Sequence, residues 1–248
     1  MSLPGCEPFS ASGGRTGVLV VHGFTGCPQS MRPLADAFAA AGHTVELPLL
    51  PGHGTTVEDM VPTRWPDWSG AADAAYIELA GRCDRVFVAG LSMGGTLATW
   101  LAVEHPEVAG LVLVNPLLDG DAPGVSAIHD GLSGLADETV PGIGSDIAKP
   151  GVVESAYPLT PVRALLSLIE AARELAPRLA DVRCPVLLCT SPQDHVVEPV
   201  SSDLLASSAT GPVTRVELPD SFHVATLDHD AATIEERAVA FVAQHAAG

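Results

Sequence analysis

The chain holds 248 residues, 47% of them hydrophobic, and carries a formal net charge of −18 with a pI near 4.6. That length suits one large α/β domain or two small ones, and the apolar share suits a chain that buries a sizeable core. Thirty acidic side chains against twelve basic ones exclude a nucleic-acid surface, whose phosphates need clustered Lys and Arg.

In chain order, Met1 to Ser10 has neither a basic start nor an apolar core, so no secretory leader is expected. Residues 5–16 are rich in Gly, Ser and Pro and read as an irregular lead-in. Val18-Leu19-Val20-Val21 is a continuous apolar run, the pattern of a strand buried on both faces. It ends in a loop of mostly small residues, His22-Gly23-Phe24-Thr25-Gly26. Helical spacing of Met31, Leu34, Ala35 and Phe38 predicts a helix from about Ser30 to Ala41, stopped by Gly42. Thr44 to Leu47 reads as a strand, Pro48 to Thr56 as a long turn, 66–82 as a helix and 85–90 as a strand. Next comes Gly90-Leu91-Ser92-Met93-Gly94, then a helix to about His105. G-x-S-x-G between a strand and a helix predicts a nucleophile elbow, a strained turn that lifts a serine hydroxyl clear of the sheet.

Ala109 to Val114 is a further buried strand. The alternation of apolar strands with helices predicts an α/β protein with a mostly parallel central sheet and helices on both faces. The rhythm breaks between Leu117 and Ala180. This stretch is too long for a simple crossover and reads as a small cap over the carboxyl edge of the sheet. The expected division is a core of 1–117 and 181–248 with a cap at 118–180, inserted after the sixth strand. Within the cap, Val162, Leu165, Leu166 and Ile169 share one helical face, which either packs on the core or lines a tunnel. Beyond it come a strand at Pro185 to Cys189, a helix near 198–208, a strand at Val213 to Leu218 and a closing helix from Ala231 to His245.

The only lysine, Lys149, stands beside Pro150, so no P-loop can form and a Schiff base would rest on that one loop position. Five scattered cysteines without C-x-x-C fit neither a zinc site nor a disulfide framework, and reduced thiols in a soluble, cytoplasmic protein are expected. No apolar run approaches the ~20 residues that span a bilayer.

A serine hydroxyl needs a base, and the base needs an acid to orient it. In the hydrolase arrangement the order along the chain is Ser, Asp or Glu, then His. His223 follows the 213–218 strand and Asp194 follows the 185–189 strand, so both arrive at the same sheet edge as Ser92. His223 is expected to act as base and then acid, with Asp194 holding its tautomer. His229 is the rival base and Asp119 the reserve acid, while Asp220 and Asp228 are too near His223 in sequence to reach it. An oxyanion hole would use the main-chain N–H groups of Met93 and Phe24. His22 reads as a residue that braces its loop.

With those residues in place, the chain resembles bacterial monoacylglycerol lipases and small thermostable carboxylesterases of the Bacillus type, members of the α/β-hydrolase superfamily. The matching segments are His22 to Gly26, Pro28 to Leu34, Gly52-His53-Gly54, Gly90 to Thr96, Ile143-Gly144-Ser145-Asp146, Asp194 to Val197 and His223 to Asp228. The resemblance implies an α/β-hydrolase fold with a short cap and no metal or organic cofactor. It also implies a cap glutamate that reads glycerol hydroxyls, here Glu154, and an isoleucine that narrows the cavity mouth, here Ile143. For Glu154 the alternative is one more solvated carboxylate.

The expected activity is ester hydrolysis through an acyl-serine, on monoacylglycerols or short- to medium-chain carboxylic esters. Alternatives on the same fold are a thioesterase, a lactonase, a perhydrolase or a binding protein without catalysis. Ser92 excludes the dehalogenases and epoxide hydrolases that carry aspartate at the elbow. The expected partner is a small-molecule ester, with at most transient contact with a lipid surface given the negative charge.

Overall fold

The computed structural model describes residues 3–142 and 144–246. Its strands are β1 (Phe9–Ala11), β2 (Thr16–Val21), β3 (Thr44–Leu47), β4 (Arg85–Leu91) and β5 (Gly110–Val114), followed by β6 (Thr139–Pro141), β7 (Leu159–Pro161), β8 (Val186–Thr190) and β9 (Val213–Glu217). The α-helices are α1 (Arg32–Ala40), α2 (Val57–Met60), α3 (Trp65–Ala80), α4 (Met93–Glu104), α5 (Pro123–Ser133), α6 (Val162–Leu175), α7 (Val200–Ser208) and α8 (Ala231–Ala246). Seven strands form one sheet in the order β1-β3-β2-β4-β5-β8-β9, and β6 pairs with β7 in a separate ribbon. Every pairing in the large sheet is parallel except β1 with β3.

The continuous apolar runs are explained by this burial, because successive side chains leave a strand on opposite faces. Leu19 and Val21, Val88, Leu111 and Leu113, and Leu188 enter one core, with Trp68, Tyr76 and Leu79 of α3 and Leu97 and Leu101 of α4. Val18 and Val20, Phe87 and Ala89, Val112 and Val114, and Leu187 enter the other, against Leu34 and Phe38 of α1 and Ile234, Ala238 and Val242 of α8. From β2 the chain moves outward to β3 and then returns across β2 to β4. That reversal opens a crevice at the carboxyl ends of β2 and β4, where sheets of this kind bind ligands.

The insertion leaves from β5, the fifth strand in chain order rather than the sixth. It contains α5 and the β6–β7 ribbon, and both were illegible among its many Gly and Pro residues. Its last helix, α6, is part of the main helix layer: Ala164, Leu168, Ala172 and Leu175 lie in the same core as α3 and α4. The expected irregular lead-in holds the short edge strand β1, too brief for an alternation to show.

The expectation of reduced thiols is overturned. Cys6 and Cys27 form a disulfide across 21 residues of sequence, with Cα atoms 5.2 Å apart, and only Cys83, Cys184 and Cys189 are free thiols. The loop after β2 folds back onto the N-terminal segment, a long-range contact that cysteine spacing does not encode. Gly54, at φ +64°, makes the approach possible, because a Cβ there would lie 2.9 Å from Cys6 Cβ.

Candidate active site

The elbow between β4 and α4 is built by exclusion of side chains. A Cβ on Gly90 would lie 2.1 Å from the carbonyl oxygen of Gly94, and one on Gly94 would lie 2.1 Å from that of Val21. Only glycines let the turn close this tightly. Ser92 itself takes φ +54°, ψ −118°, a conformation that L-residues with a Cβ adopt at a cost of about 1–3 kcal/mol. The turn is held by the Ser92 N–H on the carbonyl of Val114 (3.0 Å) and the Thr96 N–H on the carbonyl of Ser92 (3.0 Å). Thr96 Oγ1 donates in turn to the carbonyl of Leu117 at 2.6 Å.

Two main-chain segments border this serine. Met93 is the first residue of α4, and the first N–H groups of a helix lack an intrahelical partner. Phe24 lies in the loop after β2, and a Cβ on its neighbour Gly23 would sit 3.6 Å from Ser92 Cβ. His22 braces that loop: its Nδ1–H donates to the carbonyl of Gly23 (3.0 Å) while its Nε2 accepts the N–H of Leu50 (3.2 Å). Burial pushes its pKa down to about 4, so the ring is neutral.

Asp194 and His223 meet at the carboxyl ends of β8 and β9. His223 Nδ1 lies 2.7 Å from Asp194 Oδ2, with side-chain exposures of 8% and 1%. The other Asp194 oxygen accepts the N–H groups of Val196 and Val197, each at 2.8 Å, which fixes the carboxylate plane. Burial alone would lower the His223 pKa, but Asp194, with smaller contributions from Glu154 and Asp146, overcomes it and raises the value above 6.5. The reserve residues serve elsewhere. Asp119 accepts the N–H of Asp121 (3.0 Å), and the exposed His229 donates its main-chain N–H to Asp228 (2.8 Å).

Ser92 and His223 line one cavity of about 110 Å³. Its apolar wall includes Leu117, Val125, Ile128, Leu165, Leu168 and Ile169. The helical face left open by the sequence therefore divides: Leu165 and Ile169 reach the cavity wall, while Val162 and Leu166 are buried away from it. Glu154 lies on the same cavity, and a Cβ on Gly26 would be 2.6 Å from its Oε1. Burial raises the Glu154 pKa, and the attraction of His223 and a contact with Ser30 offset only part of that rise. Ile143 falls outside the described residues. Among the described residues no group of three or more His, Cys, Asp or Glu could hold a metal ion.

Sequence reasoning missed the polar frame beneath the site. Asn115, at φ +44°, donates from Nδ2 to Ser191 Oγ (3.0 Å) and to the carbonyl of His223 (2.8 Å), and its Oδ1 accepts the Ser191 N–H (2.8 Å). Asp228 accepts the N–H groups of Ala148, Lys149, Phe222 and His229 at 2.7–2.9 Å. Those four donors outweigh burial and lower its pKa. The available signal was an Asn directly past a buried strand and an Asp in a loop after the expected base, neither of which names a partner.

Comparison with known proteins agrees with this architecture. Residues 18–236 match the alpha/beta hydrolase family. The chain is 44% identical over 247 residues to a thermostable monoacylglycerol lipase of Bacillus sp. (strain H-257), covering 98% of this chain and 97% of that protein. It is 23% identical over 227 residues to a carboxylesterase of Bacillus subtilis (strain 168), covering 90% and 91%. A solved structure of a metagenome-derived lipolytic enzyme superposes with a TM-score of 0.93 at 45% identity, covering 99% of this chain and 100% of that one. With its parallel sheet, its serine elbow and these matches along nearly its full length, the chain belongs to the alpha/beta hydrolase family.

Proposed function

We propose that this protein hydrolyses carboxylic esters through an acyl-Ser92 intermediate, with monoacylglycerols of short to medium acyl chain as the favoured class. The observation that carries the reading is the buried 2.7 Å contact of His223 Nδ1 with Asp194, on a cavity that His223 shares with Ser92. Asp194 keeps the proton on Nδ1, so Nε2 is free to accept the proton of Ser92 Oγ as that oxygen attacks the ester carbonyl. The oxyanion that forms is met by the N–H groups of Met93 and Phe24, donors worth ~10²–10³ in rate each. His223 then protonates the departing alcohol, and in the second half it takes a proton from the attacking water and returns it to Ser92 Oγ as the acid is released. Chemistry of this kind needs no cofactor.

The cavity supports the choice of substrate. Its apolar wall suits an acyl chain, and the Glu154 carboxylate offers acceptors for the hydroxyls of a polyol leaving group. Glu154→Ala is expected to raise KM for monoacylglycerols about tenfold, the worth of one hydrogen bond to a charged group. Short p-nitrophenyl esters, which have no hydroxyls to bind, should keep their KM. An equal loss on both substrates would remove Glu154 from substrate recognition.

The charge state of His223 gives a second expectation. The base must be neutral to accept a proton, so activity rises as pH climbs through its raised pKa. The acid limb of kcat/KM, which reports the free enzyme, is therefore expected with a midpoint above the ordinary 6.5. By the same sign, the contribution of the ionised pair to stability is full in mild acid and is lost as pH rises through that raised value.

We further propose that, within 118–180, α5 and the β6–β7 ribbon act as a cap over the cavity, while α6 belongs with the core formed by 1–117 and 181–248. No described helix is long and apolar enough to cross a membrane. The Cys6–Cys27 bridge removes the thiol argument for a cytoplasmic location, since disulfides persist mainly in oxidising compartments. The test of the function is labelling by an organophosphonate ester. Stoichiometric modification of Ser92, lost in His223→Ala, is expected. An unmodified Ser92 would sink the esterase reading.

A further inference from the structure

Asp146 stands on the cavity wall, in the stretch between β6 and β7, with its side chain 13% exposed. Its carboxylate bridges two loops. Oδ2 accepts the main-chain N–H of His223 (3.1 Å) and that of His195 (3.2 Å), and Oδ1 lies 2.8 Å from His195 Nδ1. Its own carbonyl accepts the N–H of Val224 at 3.1 Å. On the opposite side, Asn115 Nδ2 donates to the carbonyl of His223 at 2.8 Å. Both polar groups of the His223 main chain are thus gripped by side chains, one from the end of β5 and one from the inserted stretch.

The arrangement has an asymmetry that matters. Asn115 belongs to the sheet and is fixed with it. Asp146 belongs to the segment that covers the cavity, and through His195 it also touches the loop that carries Asp194, one residue away. We propose that Asp146 is a positioning residue, which sets the base and the acid loop relative to each other and ties both to the cover of the cavity. The proposal rests on the ester-hydrolase reading above. The carboxylates facing His223 are Asp194, Glu154 and Asp146, and Asp146 alone among them touches the His223 backbone. Asp146 therefore acts on His223 in two separable ways, by geometry through the N–H and by charge through space.

Two variants separate these effects, measured on a short p-nitrophenyl ester for kcat, KM, melting temperature and the pH profile of kcat/KM. Asp146→Ala removes the acceptor for both N–H groups. Its kcat is expected to fall about 10- to 100-fold, the cost of a misplacement near 1 Å, with KM within about threefold of wild type. Asp146→Asn keeps an oxygen for the His223 N–H but loses the charge. It should recover most of kcat, while its acid limb moves to lower pH than in wild type because one negative neighbour is gone. A merely structural role would lower melting temperature and kcat together, with Asp146→Asn recovering no more kcat than its stability explains. That result, or an Asp146→Ala kcat within about threefold of wild type, overturns the proposal. Phosphonate labelling of wild-type Ser92 runs beside these assays. Labelled wild type with insensitive variants overturns the Asp146 role alone; unlabelled wild type overturns the hydrolase reading and this role with it.

Discussion

Ser92→Ala is expected to lower kcat for ester hydrolysis by about 10⁴- to 10⁶-fold, the scale of nucleophile loss in serine hydrolases of this mechanism. The remaining activity would come from the cavity and from the oxyanion donors, which survive the change. The fold should survive as well. Ser92 sits at φ +54° with a Cβ already present, so alanine meets the same backbone strain and adds no contact. Melting temperature and far-ultraviolet circular dichroism should match wild type, and phosphonate labelling should vanish. A variant that keeps a tenth of wild-type kcat would show that the nucleophile lies elsewhere.

Asp194→Asn should cost nearly as much, about 10⁴ in kcat, although no atom need move. Asp194 Oδ1 accepts two N–H groups, from Val196 and Val197. An asparagine there must present its oxygen to those donors, because its amide group would oppose them N–H to N–H. Its NH₂ then faces His223 Nδ1 and turns that nitrogen from donor to acceptor. The ring proton moves to Nε2, the atom that must receive the proton of Ser92. The variant also loses the carboxylate that lifts the His223 pKa. Residual activity should therefore show an acid limb below that of wild type. A kcat within about tenfold of wild type would mean that another group orients the base.

The centre of the sheet was legible because β2, β4, β5 and β8 are buried on both faces and so read as unbroken apolar runs, bounded by Gly, Pro and Asn. The positions of Ser92, Asp194 and His223 at strand ends followed from that reading, since parallel strands deliver their exits to one edge. Phe24 was legible for the same reason, as the exit of β2. The inserted stretch was not. α5 contains Gly124 and Gly131 and buries Val125 alone among its eleven residues, so no helical periodicity builds up. The polar frame was equally hidden. Asn115 and Asp228 act mostly through main-chain groups, those of Ser191 and His223 for one and of Ala148, Lys149, Phe222 and His229 for the other, and a main-chain partner leaves no mark on sequence. Cys6 and Cys27 looked like two of five unrelated thiols because their meeting depends on how the loop after β2 folds back.

That bridge has a consequence for how the reaction centre holds together. The two N–H groups proposed to meet the oxyanion are kept in place by forces of different kinds. Met93 is carried by β4, α4 and the packing of both cores, and it answers to whatever melts the sheet. Phe24 lies three residues before Cys27, in a loop whose far end is covalently fastened to the N-terminal segment. In the chain-entropy account, closing a loop of this length lowers the entropy of the unfolded chain by an amount worth about 3 kcal/mol. Chain made in a reducing environment would carry the same elbow beside a less constrained partner. One preparation could then bind ester as well as another and still turn it over more slowly, with the difference erased by mild oxidation.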